Sequence, residues 1–332
     1  MSPVKFLYWL EELSKDHGDL VGKKCANLGE LTNCGFRVPP GFALSVEVYE
    51  AFLRDTGVRE EIRRFLSTFR ADPTNPKGIG RFTEAADHIQ AVVESTRMPA
   101  EIEAAVTERY NALCSKVGIE DVMVAVRSAG PASHPGQYDS FLNVQGEKDV
   151  LHNIVKVWSS TFNARSLAAR ARKGLALDYD PIGVCVLQMV NARAAGVMFT
   201  AEPTTADTSK LILEGSWGLG EKVVSGSVIP DVWMVDRTRF EVIDRRTGPK
   251  HAEAPLQSRA AEDMGSLDSV EAQLSCLSDE EVIELARIGA RVEQHFGTPQ
   301  DIEWAVSGEA TDDKFYVLQS RDEKFSIRFA GF

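Results

Sequence analysis

A stretch near the end of the chain, DIEWAVSGEATDDKFYVLQSR (residues 301–321), alternates polar and apolar side chains with a period of two. This period is typical of β-strands, in which successive side chains point to opposite faces. Its first part predicts a strand with Asp301 and Glu303 on one face and the apolar side chains, including Trp304, on the other. Two carboxylates are therefore expected to point the same way, which indicates a candidate site.

The second part of the stretch repeats the alternation after a polar turn at residues 307–314. Gln319 and Arg321 are expected on one face, together with Phe315 and Val317. Carboxylates, an amide and a guanidinium on one patch suit a magnesium nucleotide, because Mg²⁺ takes oxygen ligands and arginine binds phosphate through two bonds. A solvated strand face is the alternative, since charged residues usually lie at the surface.

Composition excludes several classes of protein. The 332 residues, 43% apolar and 26% charged, are typical of a folded globular protein long enough for two lobes. A net charge of −12 argues against sequence-independent nucleic-acid binding. The five cysteines are scattered without a CxxC pair, which favours reduced thiols and a cytoplasmic location. No run reaches the roughly 18 apolar residues of a membrane span, so we expect a soluble protein.

Helical segments are predicted in several places. Residues 58–116 are charged and amphipathic and form a helical insertion, and residues 149–173 form one long helix. Ser278 and Glu281 have the spacing of a capping box, which predicts a helix that ends near Phe296.

Two apolar strands, residues 183–190 and 195–200, are predicted to form a hairpin through a turn at residues 191–193. Gln188 supplies the single side-chain amide of the two strands, and Met189 is a soft apolar side chain that can pack on a purine. The hairpin is therefore a candidate wall of an adenine pocket, although a plain core position is the alternative for Met189.

Candidate phosphate-binding residues occur in two places. Lys24 lies in the first turn of a predicted helix, where helix N-termini favour anions. Arg127 ends a buried strand and precedes a Gly/Pro/Ser loop, residues 130–137, which includes Gly136. A further glycine-rich loop at residues 215–222 matches neither the GxGxxG fingerprint nor a P-loop.

Six short sequence motifs occur in order along the chain: GKKCANLGEL, VPPGFALS, AVRSAG, GVMFTAEP, GLGEKVVSGSVIPD and DIEWA…LQSR. Together they resemble the N-terminal ATP-binding module of the phosphoenolpyruvate synthase and pyruvate phosphate dikinase family, over about residues 20–321. The resemblance implies an α+β, two-lobed ATP-grasp-type fold with mixed or antiparallel sheets and the nucleotide between the lobes. We expect one lobe at residues 1–188, with the helical insertion, and a second at residues 189–332 that carries the metal site.

The resemblance also implies roles for matching residues. Lys24, Arg127 and Arg321 contact the ATP phosphates, and Arg321 is needed for transfer. Glu303 and Gln319 bind Mg²⁺ (or Mn²⁺), and we expect Asp301 to be a second-sphere or second-metal carboxylate. The residues expected at the adenine are Gln188, Met189 and Val190.

The chain departs from the family pattern in several positions. GKKCAN replaces the usual GGKGAN, the loop after Arg127 is shorter, and Asp322 replaces a proline. The family's phosphorylatable histidine has no counterpart among the six histidines. We therefore expect a separate partner subunit that carries this histidine and the acceptor site, as in phenylphosphate synthase, which phosphorylates phenol. The expected products of the ATP half-reaction are AMP and orthophosphate.

Three alternatives stay open at this point. The acceptor can be pyruvate or another small molecule instead of phenol. The chain can be an ATP sensor without catalysis, its altered glycine motif marking lost activity. It can also be a self-contained ligase or kinase that releases ADP, an alternative that the six family motifs disfavour.

Overall fold

The computed structural model describes residues 6–131, 137–249, 274–308, 314–323 and 325. The chain divides into two compact units. Unit 1 comprises residues 1–33 and 40–189, and unit 2 comprises residues 34–39 and 190–332. Both combine helices with antiparallel sheet, which confirms the predicted α+β class. No described helix has the length and apolar character needed to cross a membrane.

Unit 1 contains a five-stranded antiparallel sheet surrounded by helices. Its strands are β1 (Leu7–Trp9), β2 (Gly41–Leu44), β3 (Val124–Ala129), β4 (Ser140–Val144) and β5 (Gly183–Gln188), in the order β1-β2-β5-β3-β4. Its helices are α1 (Gly18–Val21), α2 (Lys23–Asn33), α3 (Val46–Asp55), α4 (Val58–Thr68), α5 (Pro76–Ser95), α6 (Ala100–Val117), α7 (Glu147–Ser159) and α8 (Ala164–Arg172).

The helices of unit 1 bury an aromatic core against the sheet. Trp158 of α7 stacks on Tyr49 of α3 with ring centroids 5.7 Å apart, and Phe52 lies 4.9 Å from the same indole. All three side chains are buried. Such large rings account for much of the free energy of burial, at roughly 25 cal/mol per Å² of apolar surface.

The predicted helical segments are confirmed in part. The insertion forms α4, α5 and α6, as its amphipathic pattern predicts. The prediction of one helix over residues 149–173 is wrong, because a 3₁₀ turn at Ser160–Phe162 separates α7 from α8. Asn163 then caps α8, its Oδ1 accepting a hydrogen bond from the Ser166 N–H at 2.8 Å. A side chain that caps a new helix favours a break in the old one.

Unit 2 contains a six-stranded antiparallel sheet in the order β11-β10-β6-β7-β8-β9. Its strands are β6 (Ala192–Phe199), β7 (Lys210–Trp217), β8 (Asp231–Asp236), β9 (Glu241–Arg246), β10 (Gln300–Ser307) and β11 (Phe315–Asp322). Its helices are α9 (Glu221–Val224) and α10 (Asp279–Phe296).

Helix α10 begins with the predicted capping box. Ser278 Oγ accepts a hydrogen bond from the Glu281 N–H at 3.3 Å, and Glu281 Oε2 accepts one from the Ser278 N–H at 3.0 Å. The helix packs on one face of the sheet, where Trp304 is buried. Gly215 makes room for this indole, since a Cβ at residue 215 would lie 2.7 Å from it.

The predicted hairpin of residues 183–190 and 195–200 is wrong. β5 pairs with β2 on one edge and with β3 on the other, whereas β6 pairs with β10 and β7. Both edges of each strand are therefore occupied by other strands. Although only residues 189–191 separate β5 from β6, the two strands belong to different sheets.

Candidate functional site

The polar residues of the 301–321 stretch lie on one face of the sheet in unit 2. Asp301 of β10 pairs directly with Arg321 of β11, and Glu303 pairs directly with Gln319. Directly opposed residues of antiparallel strands have Cβ atoms about 4.5–5.5 Å apart and share a face. The strand alternation thus brings the four side chains together, and we call this surface the acidic face.

A β-bulge changes the faces predicted for the rest of β11. The register shifts between Glu303 and Trp304, so that Trp304 pairs with Val317 and Leu318 is the extra residue. Phe315 and Val317 therefore lie opposite the acidic face, and their predicted placement beside Gln319 and Arg321 is wrong. A bulge adds one residue to a strand and so inverts the alternation beyond it, which a strict period of two does not foresee.

The other residues of β11 add apolar surface to the acidic face. Tyr316 pairs with Ala305 and, with Leu318, packs against a small group of alanines. We call this group the apolar cluster; its members are Val190, Ala192, Ala195, Leu219, Ala305, Tyr316 and Leu318. Val190, one of the residues expected at adenine, is thus part of an apolar surface that adjoins the acidic face.

Asp301 holds the guanidinium of Arg321 in place. The Nε atom of Arg321 donates to Asp301 Oδ2 at 2.7 Å, and a terminal nitrogen donates to the same oxygen. Burial raises the pKa of Asp301 above its ordinary value, although Arg321 opposes the shift and Glu303 adds to it. Asp301 is 8% exposed, so the ion pair fixes the direction of an arginine that is itself only partly buried.

Glu303 and Gln319 offer oxygen atoms from neighbouring strands. Gln319 is buried and Glu303 is partly buried. A carboxylate and an amide oxygen are ligands that Mg²⁺ accepts, and Mg²⁺ bound to a nucleotide usually takes only one or two protein ligands. The donor set therefore fits a magnesium ion whose remaining ligands are phosphate oxygens and water.

Glu323 is an acidic residue that the sequence reasoning missed. Burial raises its pKa to about 7, and the nearby carboxylates of Asp301 and Glu293 contribute to this shift. The signal was present in the sequence, because Glu323 continues the period of Gln319 and Arg321 by two residues. It places another acidic side chain close to the Arg321–Asp301 pair.

Lys24 and Arg127 lie near each other in unit 1. Lys24 is in the first turn of α2, and Arg127 is on β3 directly opposite Cys185 of β5. The buried thiols of Cys25 and Cys185 are hydrogen-bonded, and both cations act electrostatically on each thiol. The hydrogen bond and burial raise the pKa of the Cys25 thiol. The buried thiol pair thus connects α2 to the sheet beside the two cations.

The start of α2 is fixed by close backbone contact. Gly22 has φ +82°, and a Cβ there would lie 1.9 Å from the carbonyl oxygen of Ala129. The Lys23 N–H donates to the carbonyl oxygen of Gly130 at 3.1 Å. Glycine is required at position 22, because any side chain would separate the helix that carries Lys24 from the strand that carries Arg127.

The residues expected at adenine are divided between the units. Gln188 ends β5, where its N–H donates to the carbonyl oxygen of Pro40 at 2.9 Å. The Met189 N–H donates to the carbonyl oxygen of Met123 at 2.8 Å, whereas Val190 belongs to unit 2. Gly136 lies outside the described residues, so its predicted role in phosphate binding stays a prediction.

A separate cavity of about 370 Å³ in unit 2 lies away from the acidic face. Phe315 and Val317 line it, together with α10 and residues 35–37. Since the bulge turns these two side chains away from Glu303, the cavity is on the opposite side of the sheet from the polar residues.

Two antiparallel sheets packed with helices make this an α+β protein, and one sheet face combines oxygen ligands with an arginine. The chain belongs to the family described as pyruvate phosphate dikinase, AMP/ATP-binding domain, whose model matches residues 18–329. This match confirms the family resemblance that the six sequence motifs indicate.

Archaeal proteins are similar to nearly the whole chain. A probable phosphoenolpyruvate synthase of Methanothermobacter thermautotrophicus is 38% identical over 327 residues, which cover 96% of this chain and 46% of that protein. One of Methanocaldococcus jannaschii is 36% identical over 324 residues, 96% of this chain and 26% of that protein. The phosphoenolpyruvate synthase of Pyrococcus furiosus is 34% identical, and 43% of it is covered. The chain thus spans less than half the length of these relatives.

Proposed function

We propose that this chain binds Mg-ATP through an ATP-grasp-type fold and performs the ATP-consuming half-reaction of a dikinase-type phosphotransferase. One observation carries the proposal. Glu303 and Gln319, and beside them Asp301 and Arg321, are directly opposed on one sheet face of a chain that belongs to an AMP/ATP-binding family. Oxygen ligands for a cation thus adjoin an arginine that can receive phosphate charge.

The proposed reaction transfers phosphate from ATP to a histidine. A ring nitrogen of the histidine attacks the β-phosphorus, and the bond from this phosphorus to the α,β-bridging oxygen breaks as AMP leaves. Water then attacks the γ-phosphorus, the bond from this phosphorus to the β,γ-bridging oxygen breaks, orthophosphate leaves, and the β-phosphoryl group stays on the histidine. The protons released by the histidine and by water pass to solvent. Such transfers depend on positioning and charge neutralisation more than on acid–base chemistry.

Each proposed residue has one task. Lys24 and Arg127 neutralise phosphate oxygens, and Arg321, oriented by Asp301, stabilises the charge that develops during transfer. Glu303 and Gln319 hold Mg²⁺, or Mn²⁺ in its place, which supplies further neutralisation of the triphosphate. Gln188, Met189 and Val190 contact adenine, and the membership of Val190 in the apolar cluster supports this assignment.

Pyruvate is the acceptor that we propose for the phosphorylated histidine. The similar archaeal proteins are named phosphoenolpyruvate synthases, a name that favours pyruvate over phenol. Phenol phosphorylation stays a prediction that no named relative supports. The histidine and the acceptor site are proposed to lie on a polypeptide region other than residues 18–329, either on a partner subunit or, as single-chain relatives suggest, on the same polypeptide.

Phosphorus NMR tests the proposal. Mg-ATP is incubated with the chain purified together with the polypeptides that bind it in its native source, and with the isolated chain as a control. We expect AMP and orthophosphate only when a histidine-bearing polypeptide is present, and a phosphoenolpyruvate signal when pyruvate is added. Phenyl phosphate from added phenol would instead identify phenol as the acceptor. ADP formed by the isolated chain would contradict the dikinase-type reaction.

A further inference from the structure

Glu214 lies on the acidic face, two strands from Glu303. On β7 it pairs directly with Val197 of β6, and Val197 pairs directly with Glu303 of β10. Because directly opposed residues share a face, Gln319, Glu303, Val197 and Glu214 form one row across four strands. Two strand spacings of about 4.8 Å separate the backbones of Glu303 and Glu214 by about 10 Å.

The neighbours of Glu214 on its sheet face carry no charge that would balance its carboxylate. Its cross-strand neighbours are Val197 and Val232, and its neighbours along the same face of β7 are Ile212 and Ser216. Burial raises the pKa of the Glu214 carboxyl. Among the described residues, none makes a hydrogen bond or ion pair with this carboxylate. A partly buried carboxyl without a structural partner is costly, so a ligand is the natural source of its hydrogen bonds.

The chemistry of this position restricts the ligand group. A phosphate would be repelled by the carboxylate and would find no cation among the four neighbours. A divalent cation would need several oxygen ligands, whereas these neighbours offer one serine hydroxyl. Neutral hydroxyl groups fit, because a carboxylate accepts two hydrogen bonds at once and an adjacent pair of hydroxyls donates them.

The order of side chains along the strands indicates which hydroxyls these are. The apolar cluster, which includes Ala195 and Ala305, is followed two residues further by the row of Glu303 and Glu214. Two residues further again come Asp301 and Arg321. Successive rows are about 6.7 Å apart. Apolar surface, hydroxyl acceptor and phosphate-binding arginine thus follow one another in the order of base, ribose and phosphates in a nucleotide.

We propose that Glu214 accepts hydrogen bonds from the 2′- and 3′-hydroxyls of the ribose of ATP and makes the site selective for ribonucleotides. This inference rests on the proposed Mg-ATP binding of the chain. Glu214 is a specificity-determining residue in this role, since it contacts the sugar and takes no part in phosphoryl transfer.

Calorimetric titration of the full chain with Mg-ATP, Mg-2′-dATP and Mg-3′-dATP tests the inference. We expect wild type to bind ATP about tenfold more tightly than either deoxynucleotide, as the loss of a hydrogen bond to a charged group predicts. Glu214→Ala is expected to bind ATP about tenfold more weakly, with its affinities for ATP and 2′-dATP nearly equal. Glu214→Gln has the same shape and keeps one acceptor, so an intermediate ratio is expected.

Control measurements separate the possible failures. Glu241→Ala, at an exposed position of the edge strand β9, is expected to leave all three affinities unchanged. An unchanged preference for ATP over 2′-dATP in both Glu214 variants would overturn this inference and leave the proposed function standing. Equal weakening of ATP and both deoxynucleotides would also overturn it, because that result indicates a structural role. A wild-type chain that bound no nucleotide would overturn both proposals.

Discussion

The two units present their candidate phosphate-binding cations in different ways. In unit 1, Lys24 stands on the first turn of a helix and Arg127 on a strand, beside the buried thiols of Cys25 and Cys185. In unit 2, Arg321 is held across two strands by a carboxylate. The unit 1 arrangement depends on close packing between a helix and a sheet, whereas that of unit 2 depends on a charge pair.

This difference predicts which property a substitution in each unit changes first. An ion pair fixes the direction of one side chain, so its loss affects orientation and charge before it affects the fold. Where a helix is closely packed on a strand, any added side-chain atom displaces the backbone. A substitution there therefore affects the stability of the fold first. Substitutions in the two units should therefore separate activity from stability.

The largest effect is expected from Arg321→Ala. If Arg321 stabilises charge in the transition state, AMP formation by the complex should fall about 100-fold or more, equivalent to about 3 kcal/mol of barrier. The dissociation constant of Mg-ATP should change far less. Rapid-quench measurement of AMP formation, with calorimetry for binding, checks both quantities.

Arg287→Ala is the matched control for Arg321→Ala, since Arg287 is an exposed arginine of the same unit whose ion pair with Glu284 is 3.5 Å long. It should leave both quantities unchanged. Normal turnover by the Arg321 variant would refute the role given to Arg321, and so would a loss confined to ATP binding.

Gly22→Ala should break the unit 1 arrangement. The new Cβ would meet the carbonyl oxygen of Ala129 at 1.9 Å in a backbone conformation with φ +82°. Strain and overpacking together should lower the free energy of unfolding by about 3 kcal/mol. Urea denaturation measures this loss.

Gly57→Ala separates the two causes, because Gly57 has φ +77° and a Cβ added there would meet none of the described atoms within 4 Å. Backbone strain alone should cost about 1 kcal/mol there. Equal losses at positions 22 and 57 would show that the contact with Ala129 contributes nothing.

Cys25→Ala sharpens the comparison within unit 1. Removing a buried thiol that bonds to Cys185 leaves a small void and an unpaired group, for an expected loss of about 1 kcal/mol in unfolding free energy. Cys114→Ala, at a partly exposed helix position, should cost less. If denaturation midpoints of the two variants agreed, the thiol pair would have no special part in holding α2.

Glu323→Gln should have the smallest effect, and one that depends on pH. Its folded pKa of about 7 lies above the ordinary value of 4.5, so ionisation disfavours the folded state. The contribution of the Glu323 carboxyl to the free energy of unfolding is fully present below about pH 4.5 and is lost as the pH rises through 7.

The variant lacks this loss. Relative to wild type, it should gain up to about 1 kcal/mol between pH 5 and pH 8, a reduced figure because the carboxyl is only partly buried. Thermal unfolding at both pH values checks the difference, with Glu241→Gln on the exposed edge strand as a control. A gain in the stability of the variant over wild type that was present at pH 5 and absent at pH 8 would contradict the prediction.

Much of the acidic face was predictable from the sequence, because strand alternation is local. The placement of Asp301 with Glu303, and of Gln319 with Arg321, follows from a period of two and is confirmed by the register. The period failed at Leu318, where a bulge inserts one residue. Glu214 was not singled out, since its relation to Glu303 depends on a strand more than 80 residues away in sequence.

The hairpin prediction failed for a related reason. Residues 183–190 and 195–200 have the local pattern of a hairpin, but pairing is decided by which strand edges are free once the sheets form. The break of the 149–173 segment likewise depended on a competing cap at Asn163 and on the burial of the intervening turn.

The sequence by itself determined the α+β class, the family, the capping box of α10 and the face on which most of the polar residues lie, because these depend on short motifs and on spacing within a few residues. Only the tertiary structure decided that β5 and β6 enter different sheets, that Arg321 is held by Asp301, and that Lys24 and Arg127 meet beside two buried thiols. Those features depend on contacts between different helices and strands, and their energies come from packing and burial that local patterns do not encode.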